Sequence, residues 1–180
     1  MAQGFCFINH LAVAALYAQI HFGLKRIAIL DIDAHHGNGV QNIFWNYPDR
    51  LYISVHEERS LSGLAHEKGV AENILNIPVP PGTNGAGYLS IFENVIVPKL
   101  MAFQPECLFL SVGFDGHHQD PLSNLALETE DYAWLARASS ALADQLCHGR
   151  LVAILEGGYN LTYLGDCAVS FVSGLGETAA

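Results

Sequence analysis

A chain of 180 residues, of which 51% are hydrophobic, is long enough to bury roughly 70% of its extended surface around one core, which excludes disorder and predicts one compact domain. Eighteen acidic against eight basic residues leave a formal charge of −10; this speaks against direct nucleic-acid binding and favours a cationic ligand. Cys6, Cys107, Cys147 and Cys167 show no C-x-x-C pairing or zinc-finger spacing, and the apolar stretch at 11–22 lacks both a basic flank and the length to span a bilayer. Reduced thiols, a cytoplasmic setting and no membrane partner are therefore expected.

In chain order, the pattern predicts a helix at 8–22, a strand at 26–31, a helix at 39–45 and strands at 51–55 and 74–79. A Pro/Gly-rich loop at 78–87 leads to a helix at 88–103, followed by a strand at 107–112, a helix at 130–147, a strand at 151–155 and a helix at 163–175. Apolar strands alternating with helical stretches imply βαβ units, so the fold class is α/β with an open parallel sheet and helices on both faces. No internal repeat or low-complexity tract interrupts it.

Three pieces follow apolar runs and end in residues suited to metal-assisted hydrolysis: Asp31-Ile-Asp33-Ala-His35-His36-Gly37, Gly113-Phe114-Asp115 and Glu156-Gly157-Gly158-Tyr159-Asn160. Should those runs be neighbouring strands, the pieces converge at the sheet edge where open α/β sheets bind ligands. Alternate residues of an extended segment point the same way, so Asp31, Asp33 and His35 are expected to share a face. Buried carboxylates so close call for a cation or hydrogen bonds; the plainer alternative is a strand end with a capping Asp. Asp115 would complete two carboxylates and one imidazole with an open position, the pattern of a catalytic zinc, although Asp-Gly also makes ordinary turns. A phenol at Tyr159, on a glycine-hinged turn, could stabilise an oxyanion. His117 and His118 are read as loop residues that diverge after the strand.

Together these motifs, with Gly-Phe-Cys-x-x-Asn at 4–9 and Asp120-Pro121-Leu122, resemble the zinc-dependent histone deacetylase and acetylpolyamine amidohydrolase family of the arginase/deacetylase superfamily, closer to class II and bacterial members than to class I. The resemblance implies that Asp33, His35 and Asp115 bind one Zn²⁺ and that Tyr159 and His36 are catalytic. It further implies that Gly4, Phe5, Gly157 and Gly158 contact substrate, and that Asp31, Ser54 and Asn38 form the structural-potassium or supporting set, with K⁺ the second cation. The reaction implied is attack of water on an N-acyl amide, in an acetylated lysine peptide or an acetylated polyamine. Ligand type alone leaves Zn²⁺, Fe²⁺ and Co²⁺ open.

Two departures qualify that expectation. The family places a His-His general base and acid pair shortly before Gly-Phe-Cys, where this chain has only Met1-Ala2-Gln3, so residues 1–180 read as the C-terminal portion of the catalytic domain. Residues 56–63 also lack the aromatic residue and Pro-Gly-Thr-Gly turn common in relatives. The alternatives are a catalytically impaired metal-binding fragment, with exposed apolar edges that favour a homo-oligomer, and a dinuclear manganese hydrolase. The latter would need bridging carboxylates where Gly37 and His117 stand.

Overall fold

The computed structural model describes residues 5–58 and 67–177. Among the described residues, five strands form one sheet: β1 (Ile27–Asp31), β2 (Arg50–Glu57), β3 (Ile74–Val79), β4 (Cys107–Val112) and β5 (Leu151–Leu155). Their order is β3-β2-β1-β4-β5 and every neighbouring pair is parallel. The chain winds outward from β1 through β2 to β3, then crosses back to lay β4 and β5 on the other side. The direction of winding thus reverses between β1 and β4, the point at which doubly wound sheets open a crevice beyond their carboxyl ends.

Helices cover the sheet: α1 (His10–Phe22) precedes β1, α2 (Asn38–Phe44) joins β1 to β2, α3 (Gly85–Ile91) and α4 (Val97–Phe103) lie between β3 and β4, α5 (Thr129–Cys147) joins β4 to β5, and α6 (Leu164–Gly176) follows β5. The side-chain period of two divides the core across the sheet. Ala28, Leu30, Leu51, Ile53, Leu108 and Leu110 belong to one cluster with Phe92, Leu100, Leu135 and Phe171, whereas Ile27, Ile29, Tyr52 and Phe109 belong to another with Leu11, Ala15 and Phe44. Each such buried large side chain contributes about 1.5–3 kcal/mol relative to exposure.

The helix expected at 88–103 is one continuous element with a wider turn inside it: Phe92–Ile96 is π-helical between α3 and α4. Pro98 at the start of α4 explains the departure, since it has no N–H to give and its ring crowds the carbonyl four residues earlier. A second departure concerns coverage. β1, β2 and β4 are buried as expected, but the edge strand β5 leaves Val152 and Leu155 exposed.

Candidate active site

Beyond β1 the ladder ends with Ile32 N–H donating to the Ser111 carbonyl at 2.9 Å. Asp side chains then take over the backbone donors: Asp31 Oδ1 accepts from Asp33 N–H at 3.2 Å and Asp33 Oδ1 from His35 N–H at 2.8 Å. These two local turns bend the chain out of the extended form, so Asp31 does not share the orientation of Asp33 and His35. Its Oδ2 instead accepts from the Tyr52 hydroxyl at 2.7 Å, in a fully buried position.

Asp33, His35 and Asp115 do come together. His35 Nδ1 lies 2.7 Å from Asp115 Oδ2 and 3.2 Å from Asp33 Oδ1. The outer carboxylate oxygens are held by backbone donors, Ala34 N–H to Asp115 Oδ1 at 2.9 Å and Gly157 N–H to Asp33 Oδ2 at 2.8 Å. That last bond joins the turn after β5 to the segment after β1. A Cβ at Gly157 would collide with both carboxylates, so only glycine lets this backbone approach.

The electrostatics follow from burial and crowding. Hydrogen bonds to Asp115 and then Asp33 push the His35 imidazole up to about 10. Burial raises the Asp115 carboxyl; at Asp33 the hydrogen bonds from His35 and Gly157 outweigh burial and hold it below the usual range. Asp31 is pushed up to about 8, by burial first and by Asp33 second. Two carboxyl groups and one imidazole thus face one another, with the three ligand atoms within 4.8 Å of one another. A divalent cation fits this donor set, because it would offset the negative charge crowded there, and three protein ligands leave a coordination position open.

The remaining sequence candidates are more dispersed. Tyr159 is 39% exposed, packs edge-on to Phe5 with ring centroids 6.3 Å apart, and its hydroxyl makes no hydrogen bond among the described residues. Gly4 lies outside the described residues, as do 59–63 of the divergent segment. His36 turns its Nε2 toward Gln41 Oε1 at 2.8 Å and Asn76 Oδ1 at 3.0 Å, into a polar network that Gln41 extends to Glu67. Ser54 pairs in register with Asp31, but its hydroxyl lies 2.8 Å from His56 Nδ1. Asn38 opens α2 and donates its N–H to the His36 carbonyl.

His117 and His118 do not diverge; their rings lie 4.6 Å apart. With Glu128 they form a second group able to surround an ion. However, His117 Nδ1 already accepts from Gln119 N–H, and Glu128 caps α5, whose N-terminal dipole disfavours a cation. The group instead fastens the loop after β4 to α5 through the His118–Glu128 contact at 3.1 Å. Two buried acids escaped sequence reasoning. Glu57 accepts from the backbone and side-chain N–H groups of Asn124, and Asp120 binds the Tyr159 turn. Asp120 was visible only as part of the Asp-Pro-Leu motif.

Residues 1–175 match the histone deacetylase domain family. The chain belongs to that family. It is 42% identical to histone deacetylase 14, chloroplastic, of Arabidopsis thaliana over 97% of this chain and 43% of that protein. A probable deacetylase of Archaeoglobus fulgidus is 41% identical over 89% of this chain and 46% of its own length. Among solved structures, an acetylpolyamine aminohydrolase from Burkholderia pseudomallei superposes with a TM-score of 0.84 at 33% identity, covering 97% of this chain and 51% of that one. This histone deacetylase family chain therefore spans about half the length of each of these three relatives. Its open parallel sheet is the deacetylase fold, and no helix among the described residues is long and apolar enough to cross a membrane.

Proposed function

We propose that the chain carries the zinc centre and oxyanion donor of an enzyme that hydrolyses N-acetyl amides, with acetyl-lysine peptides or acetylpolyamines as substrates. The observation that carries this reading is the Asp33–His35–Asp115 cluster at the β1/β4 reversal, hydrogen-bonded to the turn that bears Tyr159. Asp33, His35 and Asp115 would hold Zn²⁺, which when bound supplies Lewis acidity and lowers the pKa of water. The backbone bonds from Ala34 and Gly157 keep the two carboxylates oriented for that role.

Burial first, then Asp33 and Asp115, push the Tyr159 phenol up to about 12, so it remains a donor at neutral pH. A donor there stabilises negative charge as it develops on the amide oxygen. Phe5, Gly157 and Gly158 flank that approach, and the formal charge of −10 favours cationic polyamines and lysine-rich peptides at long range. His36 has a supporting part in this reading, because its Nε2 is committed to Gln41 and Asn76, and no general base is assigned among the described residues. A K⁺ ion at the level of Asp31 and Ser54 is proposed as a structural cation only. The four free cysteines suit a reducing compartment, whether the cytoplasm or the chloroplast named for the Arabidopsis relative.

Metal analysis tests the centre. About one divalent ion per chain is expected, with its loss in Asp115→Ala; retention of the ion by that variant would reject the three-ligand site.

A further inference from the structure

The turn that presents Tyr159 contains little that could fix it. Gly158 has φ 131°, a conformation open chiefly to glycine, and among the described residues the Tyr159 ring meets one other aromatic ring, the exposed Phe5, edge-on. Its placement must come from neighbouring segments. Upstream, Gly157 is held from both sides: its N–H donates to Asp33 Oδ2, and its carbonyl accepts from Phe114 N–H at 2.9 Å.

Downstream, one acid holds the turn. Asp120 Oδ2 accepts from Tyr159 N–H at 2.7 Å and from Asn160 N–H at 3.1 Å, while Oδ1 accepts from Leu122 N–H at 2.9 Å. The residue is only 6% exposed. Asn160 adds a parallel tie through its side-chain amide, which donates to the Gln119 carbonyl at 2.6 Å. A carboxylate oxygen that receives two consecutive backbone N–H groups makes charge-assisted bonds and fixes the orientation of the peptide between them.

We propose that Asp120 is the positioning residue for Tyr159, so that the loop supplying Asp115 also sets where the phenol stands. The inference rests on Tyr159 being the oxyanion donor. Its physical content is that one loop carries a cluster carboxylate at 115 and a backbone clamp at 120. The phenol is thereby referred to the metal-binding group from the far side of the turn, as Asp33 refers it from the near side. Without the clamp, the glycine pair lets the ring wander, and a displacement of about 1 Å can cost about 10²-fold in rate.

The test uses the intact protein loaded with Zn²⁺ and combines kinetics with NMR of the Tyr159 ring, assigned by its disappearance in Tyr159→Phe. In Asp120→Ala, kcat is expected to fall about 10²-fold with KM changed less than about threefold. The Tyr159 ring signal should move, and the Tyr159 and Asn160 amides should exchange about 10- to 100-fold faster. Asp120→Asn keeps a neutral acceptor, so kcat should return to within about tenfold of the parent, with exchange about fivefold faster. In a Tyr159→Phe background, Asp120→Ala should add less than about a threefold loss, because both changes remove the same contribution.

Parent-like exchange and ring signals in the Asp120 variants would overturn the proposal, as would a full second loss of rate in the Tyr159→Phe background. Should Asp120→Ala not fold, the Asp120→Asn measurements decide by the same criteria. Full turnover by Tyr159→Phe would sink the oxyanion reading alone, and the amide and ring signals would still decide whether Asp120 positions the turn.

Discussion

His56 is buried on β2, with Nδ1 2.8 Å from the Ser54 hydroxyl and its ring 4.9 Å from that of His36. Burial first, and His36 second, push its imidazole down from 6.5 to about 4. The unfolded chain therefore binds the proton more readily than the folded one between those values. The stabilisation is complete above pH 6.5 and is lost as the pH falls toward 4, a contribution of about 3 kcal/mol. Denaturant titrations from pH 7 to 4.5 should show this slope in the parent, and His56→Gln should flatten it. Gly157 makes a different kind of prediction. Gly157→Ala drives a methyl into the Asp33 and Asp115 carboxylates, so metal affinity should fall about 10- to 100-fold in a chelator competition while the far side of the core stays intact.

At the scale of elements, the strands were legible because parallel strands buried on both faces read as short apolar runs, and all five emerge within a few residues of expectation. Phe109 on β4 packs between β1 and the α1/α2 layer. Phe109→Ala should cost about 3–5 kcal/mol, read as a lower denaturant midpoint at unchanged slope. What composition could not reveal was the adjacency of β1 and β4, which are far apart in sequence, because chain order alone permits several sheet orders. Of the candidate site, the approach of Asp33, His35 and Asp115 was legible, because each stands just past a strand end. The turn of Asp31 toward Tyr52 was hidden, because it follows from Asp side chains capping N–H groups two residues on. Asp120 was hidden too, since it binds backbone donors about forty residues away, and amide donors leave no mark on residue type.

For the molecule as a whole, apolar surface and charge pull in opposite directions. Val13, Tyr17, Ile20 and Phe22 are exposed on α1, Val169 and Val172 on α6, and Val152 and Leu155 on the edge strand. Such surface on a strand edge and two helices favours association despite the charge of −10. Light scattering of the isolated 180 residues should therefore find oligomers, and a monodisperse monomer would contradict this. The same isolated chain should turn over an acetyl-lysine peptide about 10²–10⁴-fold more slowly than a protein that also carries the family's His-His pair, the usual worth of general acid–base groups.

The cluster at 33, 35 and 115 draws its members from the segments that follow β1 and β4, strands that pair directly although β2, β3 and the intervening helices separate them in sequence. An unfolded chain offers Asp33 and His35 as near neighbours but must close a long loop to bring up the third partner. If the proposed centre binds Zn²⁺, ion capture requires the central strand pair, so a fluorescent zinc indicator mixed with refolding protein should register that long-range docking later than the helical signal.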